Sequence, residues 1–370
     1  MFKNHSDNID FGSYKYYIRD SFLDLSKIMS SMNIKGIKIC IVSDSNVSKL
    51  YTDEVKKVLN ESFDLYDFSF EAGESYKNLS TVQSLYGFLI ENHFNRDDIL
   101  IALGGGVVGD LCGFCASTYL RGIRYIQMPT SLLASVDSSI GGKTGVDFEG
   151  YKNMVGAFYE PLFVYVNTIV LKTLPEGEFK SGLGEVLKYA FILDKDFFEY
   201  LNENLINIYN HKPKTINTII YNCAIFKKMI VEEDPKEKGI RVFLNFGHTI
   251  GHAIEKLSNF TKKHGECVAI GSFFAIDISR EMGYLNENEA KRMQQLIMDY
   301  GFDIDIPDSI STDDIIKAIS SDKKQGKDGL RFIILDNIGH AKIISNMDKK
   351  YIIRGIENGK ETNKRTDTQI

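Results

Sequence analysis

The sequence lacks any uninterrupted apolar stretch long enough to cross a bilayer, and its start, "MFKNHSDNID", is too polar for a secretory signal. Both absences lead to the expectation of a soluble, cytoplasmic protein with no membrane partner. Cysteine is scarce. The five residues Cys40, Cys112, Cys115, Cys223 and Cys267 are odd in number and sit mostly in apolar surroundings, which argues for a reducing compartment and against a disulfide framework. Cys112 and Cys115 form a C-x-x-C in "DLCGFCAST", but no second pair completes a metal site, so they read as small buried helix residues. A cationic excess is missing too: 44 Lys and Arg stand against 50 Asp and Glu, a net charge of -6. That balance disfavours a nucleic-acid backbone or an anionic membrane as partner, so any anion must be captured by a local cluster. Repeats and low-complexity segments are absent.

What is present suffices for two domains: 370 residues, 43% of them hydrophobic, can bury a core in each. In the first half, short apolar runs end in Gly, Asp, Asn or Thr/Ser: "IKICIVSD" (37–44), "DILIALGGG" (98–106), "YIQMPTS" (125–131) and "LFVYVN" (162–167). Helical patterns separate several of them, which predicts an α/β domain on a parallel sheet, with ligands at the carboxyl ends of the strands. The register changes near 173–178. Beyond it apolar residues recur at helical spacing over 178–193, 197–205, 215–232, 249–258, 268–282 and 288–300, predicting an α-helical second domain. One late exception, "LRFIILDNIGHAKIIS" (330–345), reads as a hairpin around Asn337-Ile338-Gly339, and the polar tail after Gly355 reads as frayed. The expected bounds are 1–175, 176–357 and a tail over 358–370.

Three patterns carry chemistry. "LGGGVVGD" (103–110) follows a strand and opens a helix, so its amides can face a pyrophosphate, although no acid twenty residues on completes the usual dinucleotide fingerprint. An acid stands upstream instead, with Asp44 and Asn46 at the end of the first strand. The segment over 119–161 then brings Arg121, Lys143, Lys152 and Asn153 into a stretch dense in Gly, Ser and Thr, which predicts loops closing on an anionic ligand. Asp137 in that stretch would be costly unless paired. Third, Glu185 in "GLGEVLKYA", His248 and His252 in "FGHTIGHAIE" and His264 in "KHGECVAIG" offer metal ligands beside glycines that allow close approach. The residues leave two sets open: a pair formed by His248 and His252, or Glu185, His248 and His264 with His252 facing a substrate. A purely structural role for the imidazoles stays open as well.

Taken together, "GGGVVGDLCGF", "STYLRGIRYIQMPTSLLASVDSSIGGKTGVD", "KNMVGAF", "GLGEVLKYA", "RVFLNFGHTIGHAIE" and "HGECVAIG" stand in an order that resembles the 3-dehydroquinate synthase family, over about residues 44–345. The resemblance implies a Rossmann-like nucleotide-binding α/β domain followed by an all-α domain. It also implies a homodimer that uses NAD and one divalent metal, zinc or cobalt. The implied activity is a phosphorus–oxygen lyase that closes a sugar phosphate, 3-deoxy-D-arabino-heptulosonate 7-phosphate, into 3-dehydroquinate in the shikimate pathway. The metal would fall on Glu185, His248 and His264. NAD would contact Asp44, Asn46, Gly73, Glu74, Lys77, Gly105, Gly106, Val107, Val108, Gly109, Asp110, Thr130, Ser131, Lys143, Lys152, Val170, Leu171, Lys172 and Thr173. Asp137, Lys143, Asn153, Lys188, Lys227, Arg241, Asn245, His252 and Lys323 would line the substrate site, and Arg121 would reach the neighbouring subunit's site. Ser131 stands where the family commonly has Thr, and "EEDPKEKG" replaces its more usual "DERE" run.

Overall fold

The computed structural model describes residues 8–60, 62–234, 239–259, 261–307, 309–321 and 330–366. Contacts divide the chain into two compact units, Met1–Pro175 with His211–Lys228, and Glu176–Asn210 with Met229–Ile370.

The first unit contains strands β1 (Asn8–Asp10), β2 (Lys15–Arg19), β3 (Lys38–Asp44), β4 (Asp64–Phe70), β5 (Ile99–Gly104) and β6 (Arg124–Pro129). It continues with β7 (Lys143–Phe148), β8 (Tyr151–Phe158) and β9 (Phe163–Asn167). Seven of them form one sheet in the order β1-β2-β9-β6-β5-β3-β4, parallel throughout except for the antiparallel β1–β2 pair. Helices α1 (Leu25–Ser31), α2 (Ser45–Val47), α3 (Asp53–Leu59), α4 (Leu79–Glu91) and α5 (Gly106–Thr118) connect the strands.

Alternate residues of the central strands enter two different cores, as a sheet covered on both faces requires. Ile39, Ile41, Ile99, Ile101 and Leu103 pack with Leu25 and Met29 of α1 and Val55 and Leu59 of α3. Their neighbours Cys40, Val42, Leu100 and Ala102 pack with Val82, Leu85 and Leu89 of α4 and Leu111, Cys112 and Cys115 of α5. All five cysteines are buried and none is in a disulfide, so the C-x-x-C is core. From β3 the chain moves to β4 on one side and to β5 on the other, which makes the β3/β5 junction the point where strand order reverses. Ligands of such sheets bind outside the carboxyl ends of the strands at that point.

The predicted strands over 37–44, 98–106, 125–131 and 162–167 correspond to β3, β5, β6 and β9. One expectation needs correcting. Lys143, Lys152 and Asn153 do not lie in loops: Lys143 opens β7 and the other two lie in β8, which pairs antiparallel with β7 through a turn at Glu149 and Gly150.

The second unit holds α6 (Glu176–Leu193), α7 (Lys195–Glu203) and α8 (Leu205–Tyr209). Helix α9 (Pro213–Glu233) contributes to it only from Met229 onward. There follow α10 (His248–Leu257), α11 (His264–Glu281), α12 (Glu287–Asp299), α13 (Thr312–Ser321), the antiparallel hairpin of β10 (Phe332–Asn337) and β11 (His340–Ile344), and α14 (Lys349–Thr366). Residues Cys267 to Ser279 of α11 are buried without interruption, the mark of a helix packed on all sides. The segment after Gly355 is not frayed but continues α14 to Thr366. A Cβ at Gly355 would lie 2.3 Å from Ile278, and one at Gly359 would lie 2.6 Å from Phe274, so close packing on α11 holds this helix despite its polar composition.

Candidate active site

In the first unit the glycines of "LGGGVVGD" divide their work. A Cβ at Gly104 would meet Val108 at 2.4 Å, and one at Gly109 would meet the Gln127 amide at 2.3 Å, so these two let α5 sit tightly on the sheet. Gly105 is the N-cap of α5 and supplies no side-chain hydrogen bond, leaving the first-turn amides of a thirteen-residue helix without a capping side chain. Beside them the buried Ser138 hydroxyl has no hydrogen-bond partner and lies 3.2 Å from where a Gly106 Cβ would stand. Unfilled donors on a helix N-terminus and an orphaned hydroxyl fit a pyrophosphate. Thr130 and Ser131 flank the turn: the Thr130 amide donates to the Gly104 carbonyl at 2.9 Å, and the Ser131 hydroxyl accepts from Ala134 at 3.2 Å.

Asp44 ends β3, the strand next to β5, and one of its oxygens accepts the amides of Asn46 and Val47 at 2.9 and 3.0 Å. An acid therefore stands across the β3/β5 junction from the glycine turn, on a strand that comes earlier in the chain. Tyr51 donates to the Val170 carbonyl at 3.3 Å and bonds the Thr173 hydroxyl, which ties the segment after Asp44 to the turn carrying Val170, Leu171, Lys172 and Thr173.

Gly73 leads into a short turn carrying Glu74 and Lys77. The buried Lys77 ammonium meets Glu74 at 2.8 Å, Asp110 of α5 at 3.5 Å and Asp147 of β7 at 3.7 Å. Burial pushes the Asp110 carboxyl up to about 7, with Lys77 opposing the rise and Glu74 and Asp147 adding to it. Burial would lower the Lys77 ammonium, but Asp110, Glu74 and Asp147 outweigh it and hold the group above the ordinary lysine range. Asp147 was not singled out in the sequence, yet it completes this clamp and accepts the Asn153 amide at 2.8 Å. Asp137 is paired as its setting demanded: Lys227 donates to its carboxylate at 2.8 Å and to its backbone carbonyl at 2.7 Å. The loop bearing Asp137 is steadied by Tyr16, which bonds the Ser135 carbonyl, and by Tyr14, whose hydroxyl accepts from Gly141 at 3.4 Å. Arg121 is exposed and follows Leu120, both with positive φ (66° and 51°), a pair of left-handed residues that turns the chain sharply here.

In the second unit, very close helix contacts bring the candidate metal ligands together. A Cβ at Gly265 would stand 1.7 Å from the Ser181 carbonyl of α6, one at Gly184 2.1 Å from the Gly265 carbonyl, and one at Gly251 2.6 Å from the Cys267 carbonyl of α11. Only glycine permits these approaches of α6, α10 and α11. Glu185, 1% exposed, then has Oε1 3.4 Å from His248 Nε2 and 3.3 Å from His264 Nε2. Ligand atoms about 2.0–2.1 Å from a tetrahedral ion stand about 3.3–3.4 Å from one another, so these three atoms fit the corners of a zinc site. The ring nitrogens of His248, His252 and His264 also lie within 4.8 Å of one another. Histidine spacing alone would therefore admit a three-imidazole site, whereas the buried carboxylate midway between two of the rings favours Glu185 as the third ligand.

The outer nitrogens have partners as well. His248 Nδ1 is 3.1 Å from the Phe246 carbonyl, which fixes the tautomer that leaves Nε2 free to ligate. His264 Nδ1 faces Glu255 Oε2 at 3.5 Å. Burial would raise the Glu185 carboxyl, but Lys188, ion-paired with its Oε2, and the two imidazoles hold it well below the usual range. Arg241, fully buried, and Asn245 lie on the turn that leads into α10, and Asp234 accepts the amides of Gly239 and Arg241 at 2.7 and 3.1 Å. Lys323 and residues 235–238 of the variant loop lie outside the described residues.

Comparison with known proteins places the chain among relatives of one family. A family model described as "3-dehydroquinate synthase N-terminal" matches residues 67–181, and one described as "3-dehydroquinate synthase C-terminal" matches residues 182–325. The chain is 42% identical over 329 residues to 3-dehydroquinate synthase of Acetivibrio thermocellus, covering 88% of this chain and 91% of the relative. It superposes with a TM-score of 0.85 on 2-deoxy-scyllo-inosose synthase complexed with carbaglucose-6-phosphate, NAD+ and Co2+, at 29% identity over 95% of this chain and 99% of the other. The fold is shared with 2-epi-5-epi-valiolone synthase from Streptomyces hygroscopicus, solved with NAD+ and Zn2+ (TM-score 0.86, 23% identity, 98% and 100% covered).

Proposed function

The chain belongs to the 3-dehydroquinate synthase family, and from that membership we propose how its residues divide the work of the reaction. The activity is the carbocycle-forming lyase reaction of the shikimate pathway, which turns the heptulosonate phosphate into 3-dehydroquinate and phosphate. The portion over residues 1–175 holds NAD, and the portion over 176–357 holds the metal and supplies most of the substrate contacts.

NAD, when bound, would supply a hydride acceptor that is regenerated within one turnover, which fits an overall redox-neutral reaction. Asp44 accepts from ribose hydroxyls, the amides of residues 105–110 and the Ser138 hydroxyl hold the pyrophosphate, and Glu74 and Lys77, with Lys152, Thr130, Ser131 and the 170–173 turn, frame the rest. Glu185, His248 and His264 hold one divalent ion, which when bound makes a substrate hydroxyl easier to deprotonate. The observation that carries this assignment is the position of Glu185 Oε1, at tetrahedral spacing from both imidazole nitrogens.

His252 sits one helical turn beyond His248, with ring centroids 5.1 Å apart, and contacts substrate rather than the ion. Lys143, Asn153, Lys188, Lys227, Arg241, Asn245 and Lys323 neutralise the carboxylate and phosphate of a doubly anionic substrate. Asp137 positions Lys227. No dedicated carboxylate base is required if the departing phosphate takes the proton itself.

The protein acts as a homodimer in which Arg121 reaches the neighbouring site. This is supported by the apolar exposure of the β7–β8 hairpin, where Tyr151, Met154 and Phe158 are 58%, 61% and 64% exposed, and by exposed Leu120 beside Arg121. Its five buried cysteines, none of them in a disulfide, suit the cytoplasm, and no described helix is long and apolar enough to cross a membrane.

The test is phosphate release from the heptulosonate phosphate with NAD in catalytic amount, abolished by a chelator and restored by zinc. NADH accumulating in step with substrate consumption would instead mark a dehydrogenase and overturn the reading.

A further inference from the structure

The two imidazoles that face Glu185 are supported differently from behind. His248 has a neutral backbone carbonyl at its outer nitrogen, 3.1 Å away. His264 has a buried carboxylate, Glu255, at 3.5 Å from Nδ1. Glu255 lies on α10 seven residues after His248, so one helix provides a ligand from its first turn and, two turns on, the group that faces a ligand from α11. A carboxylate that is 6% exposed on an amphipathic helix is costly unless it has a charged or hydrogen-bonded partner, and the His264 ring is such a partner.

We propose that Glu255 is a positioning residue for the metal centre: it accepts the Nδ1 proton of His264, fixes the tautomer that presents Nε2 toward Glu185, and raises the donor strength of that nitrogen. The separation of 3.5 Å is longer than a well-formed hydrogen bond. The same ring places Nε2 3.3 Å from Glu185 Oε1, so the two carboxylates face its two nitrogens from opposite sides.

This inference rests on the ligand set proposed above, and its test separates the two. Zinc affinity is measured by competition with a chromogenic chelator, without substrate, for the parent protein and for E255Q, E255A, E185Q, H264A and H252A. The visible spectrum of the cobalt-loaded forms is recorded alongside. E255A is expected to bind zinc roughly ten- to hundredfold more weakly, the range for loss of an outer-shell partner. E255Q, whose amide oxygen still accepts the Nδ1 proton, should lose less and keep a cobalt spectrum closer to that of the parent. E178A removes a carboxylate from the nearby pair with Lys263 without touching the ring, and should leave zinc affinity unchanged. If E255A fails to fold, E255Q decides: a several-fold loss of zinc affinity supports the proposal and parent affinity overturns it. Parent affinity in both Glu255 variants, with E185Q and H264A losing zinc, overturns the role of Glu255 alone. Zinc retained by E185Q and H264A but lost by H252A overturns the ligand set beneath it.

Discussion

Replacing Gly265 by alanine should empty the metal site. The added Cβ would lie 1.7 Å from the Ser181 carbonyl oxygen, whereas real Cβ contacts essentially never fall below 3.0 Å. Both partners are helix backbone, which cannot rotate away as a side chain can, so α11 must withdraw from α6 by about 1.3 Å. His264 is the residue next to Gly265, and Glu185 is one turn along α6 from Ser181, so the shift falls directly on two of the proposed ligands, now 3.3 Å apart. Metal sites tolerate errors of about 0.2 Å in ligand distance, several times less than the displacement. Overpacking of this kind costs about 1–3 kcal/mol in fold stability, which a domain of this size survives. G265A should therefore remain folded but hold little zinc. Metal content after dialysis against a mild chelator, together with melting curves in zinc and in EDTA, would show this: the parent should gain stability from zinc and G265A should not. G87A is the control, because nothing lies within 4 Å of a Cβ there. A G265A protein that keeps one equivalent of zinc at parent affinity would refute the argument that this helix contact sets the ligand spacing.

Two further outcomes follow from the same geometry. In the metal-free protein burial would lower His264, but Glu185 and Glu255 raise it to about 9, while burial holds His248 below its ordinary value despite Glu185. Because the folded value of His264 exceeds the unfolded one of about 6.5, its contribution to stability is full below about 6.5 and is lost as pH rises through about 9. One proton must also leave before zinc binds, so apparent zinc affinity should rise about tenfold per pH unit up to about 9; calorimetric titration in buffers of different ionisation enthalpy measures that proton, and a pH-independent affinity would contradict it. On the other unit, the proposed dimer predicts that Y151D combined with F158D gives monomers in sedimentation velocity, since two charges would enter the proposed interface; a persistent dimer would place the interface elsewhere.

The central strands were legible because a strand covered on both faces must be apolar at every position, and β3, β5, β6 and β9 are buried along most or all of their length. β4 and β8 obey another rule. Most of β4 is half-buried or exposed, and β8 exposes Tyr151, Lys152, Asn153, Met154 and Gly156, so neither offers a clean run or alternation. The hairpin of β7 and β8 did carry a signal, Glu149-Gly150, both with positive φ in a two-residue connection. A density of Gly, Ser and Thr on either side of it suggested loops instead. The pairing of Asp137 was foreseeable in kind, since a buried carboxylate needs a cation, but its partner Lys227 lies 90 residues away on α9, and no local pattern points there.

The histidine pair marks the same boundary between local and distant information. Residues four apart on a helix are neighbours with or without an ion, and the 5.1 Å between the His248 and His252 rings is what the helix imposes. The distinguishing observations come from other elements: a carboxylate brought from α6 by glycine contacts, a second imidazole at the start of α11, and acceptors at the outer nitrogens. Glycines flanking the three segments could be read as permission for close approach, and that permission is used. Glu255 could not be read in this way, because an acid in the last turns of an amphipathic helix looks like any solvent-facing residue until a second helix covers it. A metal centre on a helical scaffold is therefore visible in sequence to the extent that its ligands need glycine neighbours, whereas the groups that aim those ligands become visible only once the helices have packed.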